Sequence, residues 1–261
     1  MSIHPSAIIE PGAKIGAGCA IGPFCHIGSK VKLGSGVRLH SHVALAGDTK
    51  IGNGTEIWPF ASVGSQPQDL KYAGEPTRLV IGARNKIRES VSINPGTLGG
   101  GGITRIGDDC LFMLGTHVGH DCAVGNRVVV ANHASLAGHV QVGDGVVIGG
   151  LAGVHQFVRI GEGAIIGALA MVVADVIPFG SVIGERPKLS GLNLVGLKRR
   201  GVTRAEISGL RAAYKALFSE EGTLKTRAEA MLEAADSALV KQVLTFVLSD
   251  SDRSFTTPKA K

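Results

Sequence analysis

The chain is poor in aromatic residues: Phe, Tyr and Trp make up 4% of its 261 residues, while 44% are hydrophobic. Compact globules draw much of their core bulk from aromatic rings. This sequence therefore asks for an interior narrow enough to be filled by Ile, Val, Leu and small side chains. Cysteine is scarce as well, with four in the chain and no C-x-x-C pair, which gives no support to clustered zinc ligands or a disulfide framework. There is no run of about 18 apolar residues to span a membrane and no cationic start leading into an apolar leader. A cytoplasmic protein without membrane insertion is expected. A dense basic stripe is also missing, which argues against a nucleic-acid partner. The net charge is only +6, and residues 188–261 hold 13 Lys plus Arg against 8 Asp plus Glu. The basic excess thus sits in the last quarter, where it suits an acidic partner or a phosphate-bearing substrate.

Glycine is abundant, at 38 residues, and it marks a repeat. An aliphatic residue falls on every sixth position through Ile3, Ile9, Ile15, Ile21, Ile27, Leu33, Leu39, Leu45, Ile51, Ile57 and Val63. The register returns at Ile81, Ile87 and Ile93, shifts by one residue, and runs from Ile106 through Phe112 and Val118 to Val172. A period of six is not the 3.6 of a helix. Short β-rungs with a turn at every hexad fit it, three hexads closing one coil of a parallel β-helix whose coils bury each other's inner faces. All four cysteines (Cys19, Cys25, Cys110, Cys122) fall at the small position of the hexad, as expected of reduced core thiols.

Two segments break the repeat. The first, 64–80, puts Asp69 and Glu75 at would-be inward positions, so it must leave the prism; with Gln68, Asp69 and Lys71 it suits a loop over a ligand. The second, 94–104, contains four consecutive glycines and suits the lining or gate of a groove. After Val172 the pattern decays, and from about Leu192 it becomes helical. Thr203 with Glu206 reads as a capping box, Thr226 with Glu229 as a second start, and Val240, Val243, Leu244 and Val247 as a further apolar face. The expected organisation is a mainly β solenoid over 1–187 and a small α-helical domain over 188–261 that caps its open end.

The chemistry concentrates between Gly115 and His139. His120 and Gly138 are 18 residues apart, on one edge in adjacent coils, and His139 stacks over Asp121 by the same arithmetic. A neutral imidazole can take a proton from a hydroxyl or amine near pH 7. A glycine one rung away can offer its N–H to an oxyanion, and Asp121 can orient His120. No Ser or Cys nucleophile stands among them, so direct attack by the acceptor is the simpler acyl transfer. His117, His133 and His155 complete an unusual cluster. A zinc site shared by histidines of adjoining subunits is the rival reading, as in a trimeric zinc hydratase; a non-catalytic scaffold is another.

The motifs HVGHDCAVGN, LAGHV, GVHQF, QDLKYAGEPTR, IRESV and GLKRRG together resemble the acyl-carrier-protein-dependent UDP-N-acetylglucosamine O-acyltransferases, which open lipid A biosynthesis. The resemblance implies a left-handed coil and a homotrimer with active sites between subunits. It implies no metal and no cofactor, the co-substrate being acyl carrier protein with its 4'-phosphopantetheine thioester. It casts His120 as the base, Asp121 as its neighbour and Gly138 as the oxyanion donor. Gln68, Asp69 and Lys71 are implied as contacts to the sugar nucleotide or acyl chain, with His117, His139, His155 and Gln156 lining the groove. Asn193, Arg199 and Arg200 are implied as nucleotide and diphosphate contacts. Ala168, with Leu169 or Met171, is implied as the ruler of acyl-chain length. Asn94 stands where many members carry a histidine, which opens the choice between a 3-hydroxy and a 3-amino acceptor, and Val195 stands where an acidic residue is frequent. The related N-acyltransferase of the same pathway is the nearest rival and usually carries an additional N-terminal domain.

Overall fold

The computed structural model describes residues 1–184, 188–219 and 222–258. Short strands, most of two residues, recur along the hexads and stack into three sheets of 11, 9 and 8 strands, the three walls of a prism. Pairing within the walls is parallel, apart from Lys188–Leu192, which returns antiparallel on Gly180–Ile183 at the end of the first wall. Most two-residue strands send one side chain inward, and the longer Asp48–Ile51, Arg78–Ile81 and Ile103–Ile106 bury two each. The first wall buries Ile57, Ile87, Phe112 and Val130, the second Val63, Ile93, Val118 and Leu136, the third Ile81, Ile106, Val124 and Val142. These aliphatic columns interlock in one continuous core, as the scarcity of aromatics demanded.

Register explains why the repeat tolerates interruption. Ile21 pairs with Leu39, 18 residues on, whereas Ile51 pairs with Ile81 and Ile81 with Ile106, at separations of 30 and 25. The additional residues, 12 and 7, lie outside the prism and leave the column intact. Glycine after the inward residue has a steric cause: a Cβ at Gly16 would stand 2.5 Å from the carbonyl carbon of Gly34 in the next coil. All four thiols are buried and free. Each donates to the carbonyl 15 residues on: Cys19 to Gly34 at 3.2 Å, Cys25 to His40 at 2.8 Å, Cys110 to Gly125 at 3.2 Å and Cys122 to Ala137 at 3.1 Å. Burial pushes the Cys110 thiol up to about 11 and that of Cys122 up to about 12, so both are protonated packing groups.

Four helices follow among the described residues: α1 (Leu194–Arg199), α2 (Arg204–Leu217), α3 (Leu224–Glu233) and α4 (Ala238–Leu248). Thr203 and Glu206 form the expected capping box on α2. The second expected start is corrected: Thr223, not Thr226, caps α3, its hydroxyl accepting from the Thr226 N–H at 3.1 Å. The earlier start places Leu224 and Ala228 on one stripe against the core. Leu210, Leu217, Val240, Val243 and Leu244 close over Ile177 and Leu192, so the helices cover the end of the prism. No helix among the described residues is long and apolar enough to cross a membrane.

The columns make the interior unforgiving. Ile57 is fully buried, and Ile57→Ala is expected to lower the unfolding free energy by about 2–5 kcal/mol. Urea denaturation of the variant checks this; a loss well below that range would mean that the coils collapse onto the vacancy.

Candidate active site

His120 follows the inward residue Val118 by two positions, which places it on the edge between the second and third walls. It is 7% exposed. Its Nδ1 lies 2.8 Å from Asp121 Oδ2. Asp121 is held in turn by the second insertion: Oδ1 accepts from the Thr97 N–H at 2.8 Å and Oδ2 from the Thr97 hydroxyl at 2.6 Å. The Asp121 N–H donates to the Thr104 hydroxyl at 2.8 Å. With Nδ1–H directed at a carboxylate, Nε2 of the neutral ring is left as the acceptor. One coil further on, Gly138 faces that ring. A Cβ there would lie 2.6 Å from His120 Nε2, so only glycine leaves the imidazole its place.

His139 stands above Asp121, its Nε2 3.8 Å from Asp121 Oδ2, and its ring meets that of His120 edge-on at 5.0 Å. Burial holds the His139 imidazole below the usual histidine range, against the pull of Asp121, and the neighbouring His120 adds to the effect. Burial does the same to His117, again with help from His120, and the Ser92 hydroxyl lies 2.8 Å from His117 Nδ1. Both rings are therefore neutral at pH 7. His120, Asp121 and His139 bring donor atoms within 4.8 Å of one another, close enough to hold a cation. Both Asp121 oxygens, however, are already committed to Thr97 and His120.

Along the second wall runs a groove of about 440 Å³ lined by Gln68, Asn94, His117, His120, Gly138, His155, Gln156, Met171 and Val173. Asn94 anchors the first insertion over it, its Nδ2 donating to the carbonyls of Ser65 and Gln66 at 3.0 and 3.2 Å. On the other side of His139 a second cavity, about 550 Å³, is lined by Asp69, Lys71, Glu75, Thr97 and Phe157. Glu75 joins the two insertions, accepting from Ala73 N–H at 2.8 Å and Leu98 N–H at 3.5 Å.

The structure thus gathers Gln68, Asp69, Lys71, Asn94, His117, His120, Asp121, Gly138, His139, His155 and Gln156 around one edge and wall. It does not bring Asn193, Arg199 and Arg200 there. Asn193 caps α1 and donates to the Gly163 carbonyl at 2.9 Å. Arg200 pairs with Glu162 and lies over Phe179, on the edge between the third and first walls. Met171 lines the groove, whereas Leu169, with Ala168 beside it, stands exposed on the edge between the first and second walls. Thr97 and Thr104 escaped the sequence reading. Their role comes from the return of an insertion, and the glycine run was the sole trace: a side chain at Gly100 would collide with the Asp121 carboxylate.

Known proteins resemble the chain along its whole length. The family described as UDP N-acetylglucosamine O-acyltransferase, domain 2, matches residues 175–256. An acyl-(acyl-carrier-protein)-UDP-N-acetylglucosamine O-acyltransferase of Caulobacter vibrioides is 54% identical over 260 residues, 99% of each chain. A protein of the same name from Paracoccus denitrificans is 60% identical over 202 residues, 77% of each. A crystal structure of a UDP-N-acetylglucosamine acyltransferase superposes with a TM-score of 0.96 at 44% identity, covering 100% of both chains. By identity, coverage and fold together, the chain belongs to the UDP-N-acetylglucosamine O-acyltransferase family.

Proposed function

We propose that the protein moves a 3-hydroxyacyl chain from the 4'-phosphopantetheine thioester of acyl carrier protein to the 3-position of UDP-N-acetylglucosamine, the first step of lipid A biosynthesis, with His120 as general base. The observation that carries this reading is the His120–Asp121 pair closing on a glycine at the wall of a groove. His120 Nε2 takes the proton of the 3-hydroxyl as its oxygen attacks the thioester carbonyl. The oxyanion of the tetrahedral intermediate accepts from the N–H of Gly138, which has no backbone acceptor among the described residues. As the C–S bond breaks, the imidazolium returns the proton to the departing thiolate. Asp121 keeps Nδ1 protonated throughout and offsets the charge of the imidazolium.

A homotrimer with sites between subunits fits two features. Phe24, Phe60, Leu151 and Leu169 form an exposed row down one prism edge. Asn193, Arg199 and Arg200, remote from His120 in their own chain, then meet the nucleotide of a neighbour's site, with Arg200 exchanging Glu162 for a phosphate; the Arg pair suits a diphosphate. The basic last quarter of the chain draws in the acidic carrier. A 3-amino acceptor is the second reading, favoured by Asn94: its Oδ1 is buried in the groove region without a partner, and an amine brings one more N–H than a hydroxyl.

The test is a product assay with carrier-bound acyl chains of several lengths against 3-hydroxy and 3-amino UDP-sugars; equal rates on both sugars would remove the significance of Asn94. In that assay folded His120→Ala is expected to lose at least 10²-fold to 10⁴-fold of the rate, and wild-type turnover would sink the mechanism. Gly138→Ala pushes a methyl into the His120 ring and is expected to lose about 10²-fold of kcat while melting like the parent. Ala168→Gly is expected to lengthen the preferred acyl chain, each added methylene being worth about 0.8 kcal/mol when buried. An unchanged chain-length profile rejects Ala168 as the ruler.

A further inference from the structure

The corner that carries Asp121 continues, at steps of 18 residues, through His139, Phe157 and Asp175. Asp121, His139 and Phe157 adopt left-handed φ values of 59°, 63° and 65°. The His139 N–H donates to the His120 carbonyl at 2.9 Å and the Phe157 N–H to the Gly138 carbonyl at 3.2 Å, so successive corners are tied to the two residues assigned to catalysis. The His139 imidazole lies flat on the Phe157 ring, centroids 4.4 Å apart and planes 10° from parallel. Apart from the 3.8 Å approach to Asp121, that ring has no polar partner among the described residues; the stack is what fixes its plane.

Phe157 is itself held from the far end of the chain. Arg253 carries its guanidinium over the phenyl ring, 5.9 Å from the centroid. The segment bearing Arg253 is fastened to buried Asp175, the next corner of the column. Asp175 donates from its N–H to the Ser254 carbonyl at 2.8 Å, and its carbonyl accepts from the Thr256 N–H at 2.7 Å. Its Oδ2 accepts from the Ser251 hydroxyl at 2.6 Å and from Arg159 Nε at 2.7 Å. A chain of contacts therefore runs from the C-terminal segment through Arg253, Phe157 and His139 to Asp121 and His120.

We propose that Phe157 and Arg253 are positioning residues for acyl transfer: the C-terminal segment clamps Phe157, and the clamped ring holds His139 against the His120–Asp121 pair. This rests on the reading of His120 as the base. The groups that face His139 are Asp121 and His120 on its own edge, Asp69 and Lys71 from the first insertion, and Arg253 across the phenyl ring. Loss of the ring or of the cation opens His139 to water and to the two carboxylates, which favour its protonated form. Its titration then moves up towards the ordinary histidine range, a change that a merely structural defect elsewhere does not produce.

The experiment compares Phe157→Leu, Phe157→Tyr, Arg253→Met and His120→Ala in the full chain, by steady-state kinetics and by NMR titration of the histidine rings. Phe157→Leu and Arg253→Met are each expected to lower kcat about tenfold, with KM for the UDP-sugar within about twofold, and to raise the His139 titration. Phe157→Tyr, which restores the ring, recovers kcat relative to Leu. If His120→Ala is inactive while Phe157→Leu and Arg253→Met keep the parent kcat, the clamp is overturned and the base stands. A fall in kcat with an unmoved His139 titration overturns it too. If His120→Ala turns over normally, it is the base assignment that fails.

Discussion

Everything in this molecule depends on parallel pairing between coils. Each inward aliphatic sits directly on the one a coil away, as Leu136 sits on Val118, and the hydrogen bonds between rungs hold that register. Burial in such a column is collective, since a single coil has nothing inside it to pack against. The pairing also fixes the site. His120 and Gly138 are neighbours because the register admits no other arrangement, so the distance that matters for chemistry is the rung spacing of a β-sheet.

The hexads let the fold be read from the sequence to a degree unusual for a chain of this size. The inward column, the small positions filled by cysteine and a departure from the prism after Val63 follow from a period of six and the side-chain preferences that go with it. The departure ends earlier than the expected 64–80, because Arg78–Ile81 is already a strand of the third wall with Leu79 buried. The pairing of His120 with Gly138 was legible for the same reason, being a matter of counting. What escaped has a common cause: Thr97 reaches Asp121 from a loop whose path no periodicity encodes, and Thr104 reaches it from the strand Ile103–Ile106 in which that loop ends. The stack of Phe157 on His139 joins corners 18 residues apart, and it becomes visible with the rings in place. In the helices, the Thr226–Glu229 spacing misplaced the start of α3, which Thr223 caps and which carries Leu224 onto the core. The position of Arg199 and Arg200 on a different edge from His120 was equally beyond local sequence, because it depends on how α1 leaves the prism.

The two insertions divide the labour of the site. The prism supplies spacing, which it can do with great regularity but with few polar groups. The loops supply what regular rungs cannot: a roof over the groove anchored at Asn94 and the enclosure of Asp121 by Thr97. A buried carboxylate that accepts from an amide, a hydroxyl and an imidazole is costly to leave unsatisfied, and Thr97 removes most of that cost. The same enclosure settles which nitrogen of His120 carries the proton, so the loop acts on the chemistry through a tautomer.

The fastening of the C-terminal segment to Asp175 has a further consequence. Asp175 belongs to the same corner column as Asp121, three coils along, so helices and dyad share one ruler whose graduations are rungs. Insertion or removal of whole coils elsewhere in the prism leaves that interval untouched, whereas a change between Val124 and Val172 shifts the helical unit relative to His120 in quanta of about 4.8 Å. The solenoid can therefore drift in overall length while the gap between its reactive edge and its cap is inherited as a whole number.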